Sequence, residues 1–250
     1  MIDKTIIICG LCRNIEPYFK DVFQNINFIK QQFKKAYCLF IENDSKDSTA
    51  SLLKNRIDED TISFKNLDLK YPSRTQRIAY CRNKIFQEVL SNSKYQDVDY
   101  ILWMDMDDIC TTPITKESIE SNNFNDSEWA MKCAYKQTGY YDIWALRHAE
   151  YSPDDCIHNL IKDGWHNQWA HEKHVHSRMK KIDELKNIVD LLEVDSAFGG
   201  MAFVNKKYLS ENIKFIGISD NNMEKCEWVS FCDGIRNNNG KIYINYNFKI

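Results

Sequence analysis

At 250 residues with 43% hydrophobic content, the chain is long enough for one substantial core and too short for several independent domains, so residues 1–250 read as a single domain. Its 33 basic and 36 acidic residues nearly cancel, which leaves no broad positive field to draw it onto nucleic acid or anionic lipid; partners must be recognised locally. Nine scattered cysteines suit a reducing compartment and argue against a disulfide-stapled framework.

The apolar stretch over residues 5–12 is far shorter than the roughly 20 residues a membrane-spanning helix needs. No small-residue cleavage site follows it, so the expectation is a cytoplasmic chain without a membrane span, unless an upstream anchor has been removed. The β-branched run over 4–9 predicts a buried parallel strand that breaks at Gly10. Apolar residues at three- and four-residue steps predict a helix over 18–33. A second buried strand follows over 36–41, ending in Glu42-Asn43-Asp44-Ser45. Asp47-Ser48-Thr49 supplies cap chemistry for a helix over 50–57.

After a polar stretch comes a helix over 73–90 carrying Arg74, Arg77 and Arg82. A strand over 100–104 leads into Asp105-Met106-Asp107-Asp108, and 129–135 reads as a further strand. Residues 140–181, rich in Trp, Tyr and His without clear periodicity, read as a long functional insertion. A helix over 182–192, a glycine-broken strand over 197–205 and a closing strand over 242–250 complete the chain, with a short turn over 237–240. Alternating strands and helices predict an α/β fold with a mostly parallel sheet flanked by helices.

Asp105 and Asp107 are two apart, so on an extended backbone their carboxylates point the same way while Met106 points into the core. Two such charges about 4 Å apart repel by roughly 4 kcal/mol at an effective dielectric near 20. A hard cation, Mn²⁺ or Mg²⁺, resolves the conflict and leaves coordination positions for phosphate oxygens. The alternative is turn capping, and strand context with the third carboxylate of Asp108 favours the metal. At the ends of the first two strands, Cys12, Arg13 and Asn14 would neighbour Glu42, Asn43 and Ser45, where α/β folds bind ligands. Glu42 or Asn43 suits a nucleobase or ribose hydroxyl, and Arg13 suits phosphate; capping is the rival role for Asp44, Asp47 and Ser48. No dinucleotide or P-loop glycine pattern is present.

Glu42-Asn43-Asp44-Ser45-Lys46-Asp47-Ser48-Thr49, a helix, and then Asp105-Met106-Asp107 together resemble glycosyltransferases of the GT-A (Rossmann-like) fold. More narrowly, Arg77-Ile78-Ala79-Tyr80-Cys81-Arg82-Asn83 and Tyr141-Asp142-Ile143-Trp144-Ala145 resemble segments of fungal capsule-associated mannosyltransferases and related eukaryotic and viral enzymes. The resemblance implies a UDP- or GDP-sugar donor held in a half spanning 1–110, with the DxD motif Asp105–Asp107 carrying the metal and Met106 between them beside the donor. It also implies Arg77 and Arg82 near the diphosphate, and a glycan acceptor held by 111–250. The sequence departs from such enzymes in one respect: every histidine lies between His148 and His176, and Trp228 stands where similar sequences would carry a metal-binding histidine.

For the acceptor, the candidates are Tyr141, Trp144, Trp165 and His166, whose aromatic faces suit sugars, with Asp142 among them, and Gly199 and Gly200, which permit close approach. A zinc site on His171, His174 and His176 is the rival for the insertion. An inverting transfer needs a carboxylate base, for which Asp195, Glu227 and Asp233 are candidates. Two other functions stay open: a sugar nucleotidyltransferase, which would want a glycine-rich basic loop where Gly10-Leu11-Cys12-Arg13-Asn14 stands, and a carbohydrate-binding relative without turnover.

Overall fold

The computed structural model describes residues 1–56, 58–125 and 128–250. Eight strands form one sheet in the order β3-β2-β1-β4-β7-β5-β8-β6. The first three, β1 (Ile2–Cys12), β2 (Phe33–Asn43) and β3 (Asp60–Phe64), run parallel to one another and to β4 (Tyr100–Met104). Beyond β4 the sheet is mixed: β5 (Met131–Tyr135) is parallel to β8 (Ile242–Lys249), while β6 (Leu191–Val194) and β7 (Met201–Asn205) are antiparallel to their neighbours.

Helices α1 (Phe19–Gln32), α2 (Thr49–Lys54), α3 (Leu67–Lys70) and α4 (Arg74–Ser91) connect the parallel half. A short α5 (Lys116–Glu120) follows β4, and α9 (Glu227–Asn237) precedes β8. Two apolar layers cover the sheet, one built on Ile7, Ile101 and Phe231, the other on Ile6, Leu102 and Phe203. Strands buried on both faces carry the continuous apolar runs of parallel sheets. All nine cysteines are free and buried. No helix among the described residues is long and apolar enough to cross a membrane.

Three expectations need correction. The insertion at 140–181 is largely helical, with α6 (Cys156–Asp163), α7 (Gln168–His171), a π-helical turn Glu172–His176 and α8 (Ser177–Leu185). The π turn adds a residue to the helical repeat, which breaks the 3.6-residue pattern that would have revealed it. The helix expected over 182–192 ends at Leu185, and Leu191 and Leu192 belong to β6, where they pair with Asn245 and Ile244. The polar stretch before α4 holds β3, an edge strand whose residues stay partly exposed and so show no buried run. The helix expected over 50–57 is α2; its last expected residue, Ile57, lies outside the described residues.

Candidate active site

The sheet order turns at β1, which has β2 on one side and β4 on the other. Such switch points open a crevice at the carboxyl ends of the strands. A cavity of about 370 Å³ lies there. One wall is built from Leu11, Arg13 and Ile15 after β1, Asn43 at the end of β2, and Asp105, Met106 and Asp107 after β4. Helix α4 closes it with Arg74, Arg77, Ile78, Cys81 and Arg82, spaced as one helical face. The opposite wall is Tyr141, Asp142, Trp144, Phe198, Glu227 and Trp228.

The aspartate pair is placed by close packing. Met106 lies against Gly10, where an added Cβ would stand 2.5 Å from its sulfur, so a side chain at position 10 would displace Met106. The Asp105 amide donates to the Gly200 carbonyl at 2.8 Å. Gly199 and Gly200 have φ of +78° and +87°, and a Cβ on Gly199 would stand 2.1 Å from the Ala134 carbonyl oxygen. These glycines therefore serve the junction of β4, β5 and β7 and do not line the cavity.

Burial raises the Asp105 carboxyl well above its ordinary pKa; Arg82 opposes the shift, and Asp107, Asp142 and Glu227 add to it. Burial also raises Asp107, opposed by the amide of Ile109, which donates to its Oδ1 at 3.1 Å. Two carboxylates crowded at one cavity wall fit a hard cation, which lowers the energy of both charged forms. Among the described residues no group of three or more His, Cys, Asp or Glu is placed to hold an ion. Mg²⁺-type ions take one or two carboxylates and fill their remaining positions with phosphate and water. Asp108, expected as a third carboxylate, is exposed and does not line the cavity.

The four arginines differ in how much charge they have free. Arg13 makes a fork to Asp68 at 2.8 and 2.6 Å. Arg77 bonds the carbonyls of Tyr71 and Pro72 and reaches Asp68 at 3.1 Å. Arg82 is buried, donates to Glu227, and lies 3.7 Å from Asp105, with its guanidinium 4.3 Å from the Trp228 ring centre. Arg74 alone of the four is exposed and, among the described residues, paired with no carboxylate. Sequence reading noted Arg74 on its helix and Trp228 in place of a histidine but gave neither a place in the site; the 74-77-78-81-82 spacing on α4 is the signal that would have gathered Arg74 to it.

The aromatic wall belongs to the insertion and is pinned by two aspartates. Asp155 accepts from Trp144 Nε1 at 3.0 Å and Arg147 at 2.9 Å, and caps α6 through the amide of His158 at 2.9 Å. Asp183 accepts from the amide of Tyr140 and the hydroxyl of Tyr135, each at 2.7 Å. Asp142 accepts from the Ala145 amide at 3.3 Å. Its carboxyl is raised from 3.8 to about 6, by burial first and then by Glu227.

Between those two values only the folded chain holds the Asp142 proton, so this group makes stability fall as pH rises through the window. Asp142→Asn is accordingly expected to raise the melting temperature at about pH 8 and to lose that advantage as pH falls towards about 3, below 3.8, where the acid is neutral in both states. Thermal melts of both proteins across that range check it; an equal difference at both ends would contradict the buried carboxylate.

Several expected site residues lie elsewhere. Cys12 is fully buried and does not line the cavity. Asn14 and Ser45 tie the two strand-end loops together, Ser45 Oγ accepting from the Asn14 amide at 3.2 Å and Asn14 Oδ1 from the Lys46 amide at 2.8 Å. Glu42 is buried and accepts from the Ser45 amide at 2.9 Å, leaving Asn43 to face the cavity. Asp195 and Asp233 share Arg236, at 2.7 and 3.6 Å, away from the cavity. Of the three base candidates only Glu227 lines it. Trp165 and His166 do not.

The histidines hold separate partners: His171 the Trp165 carbonyl at 2.7 Å, His174 the Asp163 carboxylate at 2.7 Å, His176 the Glu172 carboxylate at 3.5 Å. No zinc cluster forms among the described residues.

The profile of a protein family described as "Cryptococcal mannosyltransferase 1" matches residues 6–233. No curated protein matches the chain by sequence. Among solved structures, TarS 1-349 from S. aureus superposes with a TM-score of 0.50 at 11% identity, over 97% of this chain and 60% of that one. The mannosyltransferase PcManGT from Pyrobaculum calidifontis, in complex with GDP-Man and Mn²⁺, superposes with a TM-score of 0.55 at 10% identity, over all of this chain and 56% of that one. At such identities the likeness shows a shared GT-A fold. The chain spans under two thirds of either structure's length.

Proposed function

The chain belongs to the cryptococcal mannosyltransferase 1 family, and from that premise we propose that it moves a hexose from a nucleotide-diphosphate sugar to a hydroxyl of a glycan or glycoconjugate. The observation that carries this reading is the single cavity in which the Asp105–Asp107 pair faces the unpaired Arg74 across the strand ends. A site that is anionic at one point and cationic at another suits a diphosphate bound through a metal on one side and directly on the other.

In this reading residues 1–110 hold the donor and 111–250 the acceptor. Asn43, Leu11 and Ile15 take the nucleoside, with Arg13 at its phosphate end. Asp105 and Asp107 hold a Mn²⁺ or Mg²⁺ ion, which when bound stabilises charge on the departing diphosphate. Arg74 and Arg77 meet the diphosphate from α4. Arg82, fixed by Glu227 and caged by Trp228, orients Asp105. The Tyr141 and Trp144 rings cover a sugar face, and Asp142 orients a hydroxyl by accepting its hydrogen bond.

The test is a thermal-shift screen of nucleotide-diphosphate sugars with and without Mn²⁺, followed by assay of nucleoside diphosphate release. GDP-mannose heads the panel, given the family's description and the GDP-Man complex of PcManGT. A Mn²⁺-dependent shift and release are expected. Binding without release would point to a carbohydrate-binding relative, and release of pyrophosphate to a nucleotidyltransferase. Arg74→Ala is expected to weaken donor binding roughly 10- to 100-fold, the worth of one or two charge-assisted hydrogen bonds, with Arg74→Lys recovering part of it. Calorimetry at fixed Mn²⁺ decides, and an unchanged affinity would remove Arg74 from the site.

A further inference from the structure

Resting on the transferase reading, we propose that Asp68 is a positioning residue whose single carboxylate holds Arg13 and Arg77 in place for the diphosphate of the donor. Asp68 lies on α3, Arg13 follows β1 and Arg77 lies on α4, so three separate elements meet at one side chain. Arg13 Nη1 and Nη2 donate to its Oδ1 and Oδ2 at 2.8 and 2.6 Å, and Arg77 Nε lies 3.1 Å from the same Oδ1. Both arginines line the cavity and Asp68 does not.

The position of Asp68 is set from the end of β2. The Asp44 carboxylate accepts from the amides of Asn66 and Leu67 at 2.6 and 2.9 Å, satisfying donors at the start of α3, and Leu67 is buried. Asp44 and Asn66 have φ of +52° and +60°, a conformation that Asp and Asn adopt more readily than other side chains bearing a Cβ. Asp68 follows Leu67 directly, so an anchored turn delivers its carboxylate to the arginines.

Arg77 Nη1 donates to the Tyr71 and Pro72 carbonyls at 2.8 and 2.7 Å, so with Nε at Asp68 only Nη2 lacks a partner among the described residues. The fork of Arg13 leaves its Nε and one hydrogen on each Nη. These N–H groups are what the two side chains can offer a phosphate. Arg13 and Arg77 carry like charges around one carboxylate, which offsets their repulsion. Side chains already fixed lose less freedom when a ligand binds, and a forked arginine–carboxylate pair is the geometry in which an exposed ion pair does hold. The opposite role, a carboxylate occupying the arginines until phosphate displaces it, would place Asp68 in the cavity, which it does not line.

Affinities of UDP, GDP and the matching monophosphates are measured by calorimetry on the full chain at fixed Mn²⁺. Asp68→Ala is expected to weaken diphosphate binding roughly five- to tenfold and monophosphate binding less, with Asp68→Glu recovering part of the loss. Added to Arg13→Ala/Arg77→Ala it should cost nothing further, because a positioning residue acts only through its partners. Its melting temperature should stay near the parent's, since the Asp68 side chain is 46% exposed. Unchanged or tighter diphosphate binding, or a further loss once both arginines are gone, overturns the proposal. A second readout needs no ligand: phenylglyoxal modification of Arg13 and Arg77, mapped by mass spectrometry, should run at least about threefold faster in Asp68→Ala. If the parent binds neither UDP nor GDP, the transferase reading fails, and equal modification rates in parent and variant would by themselves overturn the positioning role.

Discussion

Mn²⁺-dependent donor binding is expected to fall by at least about a hundredfold when Asp105 and Asp107 both become asparagine. Losing the groups that merely orient a metal ligand already reduces affinity about 10- to 100-fold, and this change removes both carboxylates that the cavity offers beside the diphosphate. The same change has an opposite effect on the free protein. Both carboxyls are raised by burial, so neutralising them relieves an unfavourable charge, and the melting temperature without metal should hold or rise. A shared loss of stability and binding would instead indicate misfolding.

The pH dependence follows with its sign. Metal requires the deprotonated pair, so proton competition weakens metal binding as pH falls through the raised values. Calorimetric titration of Mn²⁺ and donor into parent and variant is the measurement, and unchanged affinity would refute the metal assignment.

The second large effect concerns stability. Glu227→Ala is expected to destabilise the fold by about 3–5 kcal/mol, because it leaves the guanidinium of Arg82 buried with its main partner removed. The Arg82 and Glu227 side chains are 9% and 7% exposed, so water cannot replace the lost carboxylate. For a chain of this size the melting temperature should drop on the order of 10 °C. Glu227→Gln keeps an acceptor and should fall between the two. Since Arg82 also reaches Asp105, both variants should weaken metal binding as well, the alanine more. A melting temperature within about 1 °C of the parent for Glu227→Ala would mean that the pair carries little stability.

The parallel half of the sheet was readable because each of its central strands is buried on both faces and so writes an unbroken apolar run. The start and end of β4 were read without error for that reason. The edge strands β3 and β6 were not, since an edge trades apolar residues for polar ones and loses the signature. At the site, proximity to a strand end named Asn43, Arg13 and the aspartate pair, all of which line the cavity. Glu42 and Cys12, named with them, are buried and do not line it; alternation along a strand turns neighbours to opposite faces. Asp195 and Asp233 were candidate bases, but both bind Arg236, Asp233 as its i,i+3 neighbour on α9 and Asp195 by a tertiary contact with no local trace. The pairing of Arg82 with Glu227 spans 145 positions and had no local trace.

The antiparallel seam between β4 and β7 sets an order of events during synthesis. Residues 100–104 leave the ribosome about a hundred positions ahead of their partners at 201–205. Until those arrive, Tyr100–Met104 is an apolar strand with one open ladder edge, the most adhesive element a nascent chain can display. The aspartates that follow it place charge directly at the end of that strand, where it discourages pairing with other chains. The acidic pair thus has a task before any ligand is bound, and neutral variants should be the ones that aggregate when expressed.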